Sequence, residues 1–169
     1  MTTPGAGPGP ARSGSYVYRV EARTPAPVEA VWPLVGEARR WRDWSFLDAS
    51  RLEREGSPEP DGVGAVRAFT RFGVGSREEV VVWDPPLHLG YRILRGFPVR
   101  DYRADVTLEP AGSGTRIEWA GSYDPKWPGT GGLLQLVLPR MMQRFADDLA
   151  RYATDHPDPP PGSPDPAGS

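Results

Sequence analysis

Between Tyr16 and Arg23 the chain alternates, with Tyr16, Tyr18, Val20 and Ala22 on one side and Val17, Arg19, Glu21 and Arg23 on the other. A period of two with one polar side predicts a strand that lies on a core by a single face. Pro25 and Pro27 end it, and Pro27 suits the first position of a helix, where its missing N–H costs nothing. Val28, Val31, Trp32 and Val35 follow at helical spacing as far as Gly36. Pro33 inside this stretch predicts a kink or a short helix. Residues 37–44 (EARRWRDW) predict a second short helix that brings Trp41 and Trp44 close together. Residues 51–55 read as a short strand and 56–64 as a turn-rich connection.

From Ala65 onward the pattern is a meander. Strands are predicted over 65–71, 77–83, 89–94, 102–109 and 115–123, separated by Gly73–Val74–Gly75, Asp84–Pro85–Pro86, Gly96–Phe97–Pro98 and the Pro110–Gly114 turn. Tyr102, Ala104, Val106 and Leu108 oppose Arg103, Asp105, Thr107 and Glu109, and Ile117, Trp119 and Tyr123 oppose Arg116, Glu118 and Ser122. Such sidedness belongs to an antiparallel sheet covered on one face. The cover is the stripe Leu134, Leu138, Met141, Met142, Phe145, Leu149 and Tyr152, with Arg140, Arg144, Asp147, Asp148 and Arg151 between. It predicts an amphipathic helix of about five turns, begun or broken at Pro139.

Composition narrows the reading. The ends, 1–14 and 154–169, are Pro/Gly/Ser-rich with almost no apolar side chains and are expected to be disordered, leaving one domain over 15–153. A net charge of −2 supplies no field for nucleic acid or an anionic membrane, and Lys126 is the only lysine beside many arginines. With no cysteine, disulfides, thiolate catalysis and Cys-ligated zinc are excluded. Neither a signal-peptide pattern nor an apolar run of spanning length is present, so a cytoplasmic protein without membrane insertion is expected.

Candidate chemistry is sparse. His88 falls in the Pro-Pro turn and His156 in the C-terminal tail, so both read as surface histidines, and no serine-hydrolase set is placed. Gly73–Val74–Gly75 and Gly129–Thr130–Gly131–Gly132 lack the context of a phosphate loop. No carboxylate cluster has metal-ligand spacing, and no cofactor is expected.

The order of elements and several phrases resemble the SRPBCC superfamily of START domains, birch-pollen-allergen-like proteins and plant abscisic acid receptors, and within it the bacterial polyketide cyclase/dehydrase type. The phrases are Ala26–Pro27–Val28–Glu29–Ala30–Val31–Trp32, the Trp41/Trp44 pair, Gly62–Val63–Gly64–Ala65–Val66–Arg67, Glu78 to Asp84 followed by Tyr91, and Gly114–Thr115–Arg116–Ile117–Glu118–Trp119. The resemblance runs from Tyr16 to Tyr152 and implies an α+β helix-grip fold. In that fold a curved antiparallel sheet of about seven strands, with two short helices, wraps a long C-terminal helix around a pocket.

Glu78, facing inward with Val80 and Val82, is expected to share the pocket face with Arg67. The two either form a structural clasp, or Arg67 orients an anionic ligand group while Glu78 moves protons. Trp44, Phe69, Tyr91, Tyr102, Trp119 and Tyr123 are the expected aromatic lining, and Met141, Met142 and Phe145 the helical wall. The resemblance places gates at residues 70–76 and 95–101, where Phe72 and Phe97 would close on a guest. Three uses follow: binding of a small hydrophobic or aromatic metabolite; a polyketide cyclase/aromatase using Arg67 with Glu78 or a pocket tyrosine; or a protein-partner module with a vestigial pocket. Ala65 and Val66 stand where aromatic polyketide cyclases have Trp and Ser before the arginine, a departure from that type.

Overall fold

The strands are β1 (Tyr16–Thr24), β2 (Ala49–Arg54), β3 (Val66–Arg71), β4 (Val74–Asp84), β5 (His88–Arg95), β6 (Val99–Ala111) and β7 (Gly114–Pro125). They form one antiparallel sheet in the order β1-β7-β6-β5-β4-β3-β2. The helices are α1 (Val28–Gly36), α2 (Trp41–Trp44), which a 3-10 turn at Ala38–Arg40 leads into, and α3 (Gly131–Asp155). This computed structural model describes residues 14–158. Of the two segments read as tails, only Gly14 and residues 154–158 fall within it, and Thr154 and Asp155 complete α3. The rest of both tails lies outside the described residues.

Alternation along β1 and β7 holds as read, with register pairs from Tyr16↔Tyr123 to Thr24↔Thr115. Irregular register between Val80 and Val82 on β4, and between Arg100 and Arg103 on β6, marks places where the ladder bends, which curls the sheet toward α3. Pro27 stands just before α1 with extended backbone, φ −69 and ψ 161, rather than inside it. Pro33 coincides with a short helix of nine residues, stopped where the Glu37 N–H bonds the Pro33 carbonyl at 3.2 Å.

Several boundaries differ from the sequence reading. The helix α3 neither begins nor breaks at Pro139 but runs through it as one helix of 25 residues, since a proline within its first turns removes few helical bonds. Three further differences bear on the site. Gly73–Val74–Gly75 is not a loop, because β3 and β4 pair through Thr70↔Gly75 and Arg71↔Val74. The turn is Phe72 and Gly73 alone, with φ of 48 and 76; two positive φ values match the strand twist and close a hairpin in two residues. β5 runs to Arg95 and β6 starts at Val99, which shrinks the second expected gate to Gly96–Pro98. His88 opens β5, half-buried, and its Nε2 lies 2.7 Å from Asp105 Oδ1 across the ladder.

The helix α3 lays Leu134, Leu138, Met142, Phe145 and Leu149 on the sheet. Its C-terminal half meets a filled core, where Leu149, Ala153, Val31, Val35 and Ile117 have no exposed surface. Its N-terminal half faces a part of the sheet where the core is not filled. No helix among the described residues is long and apolar enough to cross a membrane.

Candidate ligand cavity

The unfilled region begins with two tryptophans. The Trp41 Nε1–H donates to the Val35 carbonyl at 2.9 Å and the Trp44 Nε1–H to the Leu34 carbonyl at 2.8 Å, using carbonyls that the end of α1 leaves without helical donors. The rings are 5.0 Å apart, as the spacing predicted, and Trp41 also meets Phe69 at 4.8 Å and Phe145 at 5.8 Å. Indole N–H groups bonded to backbone leave apolar ring faces to line space.

Arg67 and Glu78 are directly paired across β3 and β4. Arg67 has no exposed surface. Its Nε donates to Glu78 Oε1 at 2.9 Å, its Nη2 reaches the same oxygen, and its Nη1 donates to the Val35 carbonyl at 3.2 Å. The rings of Trp41, Tyr91 and Phe69 surround the guanidinium at 5.0, 5.4 and 5.6 Å. Burial pushes the Glu78 carboxyl above the usual carboxylate range, and Arg67 opposes that shift.

A cluster of hydroxyls follows. The Trp119 Nε1–H donates to the Tyr91 hydroxyl at 3.0 Å. The Tyr18 and Tyr102 hydroxyls bond each other, and Tyr102 Oη is also 4.0 Å from Met142 Sδ. Gly121 makes room for this, since a Cβ there would come within 2.5 Å of the Tyr18 ring. Burial raises all three tyrosines above the phenol range, and the Glu78 charge adds to the shift in each. They are therefore neutral hydroxyls, able to donate or accept.

Around these groups lies a cavity of about 330 Å³. Trp41, Phe69, Glu78, Tyr91, Tyr102 and Phe145 form its buried wall, with Leu138 and Met142 from α3. Partly exposed Phe46, Leu47, Arg71, Ser76 and Met141 rim it, with the turn Gly96–Phe97–Pro98. A mostly apolar concavity with few polar groups is the general form of a small-molecule site.

Of the residues singled out from sequence, Phe69, Glu78, Tyr91, Phe97, Tyr102, Met141, Met142 and Phe145 border this space. The other five do not. Arg67 is sealed behind the three rings, the clasp arrangement rather than a ligand-facing one. Trp119 stands behind Tyr91 with no exposed surface, and Tyr123 is spent on Tyr16, stacked at 5.6 Å. Trp44 packs outside Trp41. Phe72, at the hairpin turn, is 80% exposed and does not border the cavity; its ring lies 4.2 Å from the guanidinium of Arg71 at the rim.

Residues not anticipated include Arg71, Val74, Ser76 and Ile93. Period two carried their signal: Arg71 follows Phe69, Val74 and Ser76 precede Glu78, and Ile93 follows Tyr91, each at a step of two on its own strand. Trp41, Phe46 and Leu47 had no such signal, because the single turn of α2 and the irregular segment that follows it set no readable phase. Among the described residues no group of three or more His, Cys, Asp or Glu is placed to hold a metal ion.

Comparison with known proteins agrees with this geometry. No curated protein matches the sequence. Among solved structures, a protein of Thermobifida fusca is similar at 27% identity and a TM-score of 0.66, over 81% of this chain and 93% of its own. Norcoclaurine synthase of Thalictrum flavum, a point mutant with a transition-state analogue, has the same fold at 17% identity and a TM-score of 0.64, over 85% of this chain and 96% of its own. DynU16, from the dynemicin biosynthetic locus, is similar at 27% identity and a TM-score of 0.63, over 83% of this chain but 48% of its own. The family profile described as polyketide cyclase / dehydrase and lipid transport matches residues 17–154, the stretch that builds the sheet, the final helix and the cavity between them. By that match, and by the helix-grip fold that carries it, the chain belongs to the polyketide cyclase/dehydrase and lipid transport family of the SRPBCC superfamily.

Proposed function

We propose that the protein binds a small hydrophobic or aromatic metabolite in this cavity. The supporting observation is the unfilled space of about 330 Å³, bordered by aromatic and methionine side chains in a core that is closely packed elsewhere. A folded core leaves few voids larger than a water molecule, so a void of this size with an aromatic wall fits a guest. Met141 and Met142 adapt to irregular shapes, and the Gly96–Pro98 turn at the rim is the place to open. Native mass spectrometry of protein purified from its own host tests the reading. A retained small molecule, lost on denaturation, supports it. Bare protein that also fails to bind any aromatic probe saturably overturns it.

A second reading is catalysis of enolisation or dehydration. It is favoured by Glu78 and Tyr102 bordering the same space, a carboxylate and a neutral phenol suited to take and give a proton. Similarity to DynU16, encoded in a biosynthetic locus, supports it further. Arg67 would then be a positioning residue that acts through Glu78. Loss of turnover in Glu78→Gln with folding intact supports catalysis, and unchanged turnover removes it.

A further inference from the structure

Within the binding reading, the polar atoms of the cavity say which kind of guest fits. Arg67 is unavailable to an anion, being fully enclosed and engaged with Glu78 Oε1 and the backbone of α1. Both of its bonds to Glu78 fall on Oε1. Glu78 Oε2 has no hydrogen-bond partner among the described residues. Among the described residues, the unpartnered buried side-chain atoms that touch no open space are Arg40 Nε and Trp83 Nε1. Oε2 is not one of them, so it borders open volume, and the open volume Glu78 borders is the cavity.

A carboxylate oxygen facing an apolar chamber requires a donor, since an unmet buried acceptor loses its hydration without return. Three guest classes compare differently. An acid would set a second negative charge beside Glu78 with Arg67 out of reach, a like-charge contact in a low-dielectric site. The guanidinium that does border the cavity, Arg71, lies at the partly exposed rim over the Phe46 and Phe72 rings, where solvent screens its pull. A cation would add an unbalanced charge, because Arg67 already neutralises Glu78. A neutral hydroxyl completes Oε2 and adds no charge. The faces of Trp41, Phe69 and Phe145 suit an aromatic body.

We infer that the guest is a neutral aromatic alcohol or phenol that donates its hydroxyl to Glu78 Oε2, and that aromatic carboxylic acids are rejected. This rests on the binding reading above, and the test separates the two. The full chain is titrated, by calorimetry or by quenching of its tryptophan fluorescence, with three probes sharing one ring body: β-naphthol, β-naphthoate and β-methylnaphthalene. The expected order is naphthol tightest, by about tenfold over methylnaphthalene, the worth of one bond to a charged acceptor after the hydroxyl's own dehydration. Naphthoate is weakest. Naphthol affinity falls at a pH where the probe ionises. Naphthoate binding as tightly as naphthol overturns the inference and leaves the binding reading standing, and so does methylnaphthalene equal to naphthol. Failure of all three to bind overturns both. In Glu78→Gln the naphthol advantage shrinks; should that variant not fold, the wild-type series decides alone.

Discussion

Glu78 stands opposite Arg67 in the β3–β4 ladder and accepts both of the arginine's bonds on one oxygen, which leaves its second oxygen without a partner among the described residues, in a side chain that borders the cavity. One residue thereby serves two surroundings. Toward the fold it is a counter-ion for a guanidinium enclosed by three rings. Toward the cavity it is a fixed acceptor whose charge is already balanced. Such a pair need not raise stability over an apolar one, but breaking it leaves a buried charge unmatched.

The clasp therefore predicts a specific asymmetry. Arg67→Met alone is expected to cost about 3–5 kcal/mol, because it strands Glu78. The double variant Arg67→Met with Glu78→Leu recovers most of that loss. Urea unfolding of the wild type, the single and the double variant measures it. A double variant less stable than the single one counts against a coupled buried pair.

Opposite pH behaviour is expected at two carboxylates. Burial alone would raise Asp105, but hydrogen bonds from His88 and Arg103 outweigh it and hold the group below its ordinary 3.8. Its contribution is then present above 3.8 and lost as pH falls through the lowered folded value. Glu78 is raised above 4.5 by burial, so its contribution is fully present below 4.5 and lost as pH rises through the folded value. The stability gap between wild type and Asp105→Asn, about 1–3 kcal/mol at neutral pH, should close in acid. The wild type should instead lose ground to Glu78→Gln as pH rises from 4.5. Urea midpoints at stepped pH read both slopes, and slopes of the same sign would contradict the assignment.

Most of the fold was legible because alternation in strands such as β6 and β7, and the 3.6-residue stripe of α3, are imposed by burial on one face. The cavity was legible in part. Phe69, Tyr91 and Tyr102 lie on strands whose inner face the pattern marks. Depth along the strand was not marked: Arg67 and Phe69 share a face, yet one is sealed and the other lines the space. Trp119 and Tyr123 lie in other layers of the same inner face, since period two gives the side and not the layer. Phe72 was misplaced because a hairpin's turn type depends on backbone φ, which Phe-Gly does not announce as Asn-Gly does.

Gly96 is expected to be irreplaceable at the rim. Its φ is +105, and a Cβ there would come within 2.5 Å of Ser76 Cα, so a side chain meets both backbone strain and a clash. Gly96→Ala should cost at least about 1–3 kcal/mol and slow the exchange of a bound aromatic probe or speed it by holding the turn open. Gly112→Ala is the control, because its φ is +64 with open space around it, giving strain without a clash. Denaturation and stopped-flow fluorescence on both variants test this. Equal stability loss, with probe kinetics unchanged in both, would remove Gly96 from any gating role.

Occupancy and packing should separate along α3 and the sheet. Ile93 borders the cavity on β5, directly across from Glu78 in the ladder. Ile93→Trp places a larger apolar side chain in space that is open, so it avoids the usual cost of overpacking, about 1–3 kcal/mol. Its expected result is a loss of naphthol binding by more than about tenfold with thermal stability unchanged or raised. Leu149→Ala does the reverse. Leu149 has no exposed surface and packs at the filled end, so removing it should cost about 2–5 kcal/mol while the affinity of folded protein for the probe stays near that of the wild type. If Ile93→Trp unfolds the protein, that region is already full, and the cavity on which every binding proposal rests is not there to be filled.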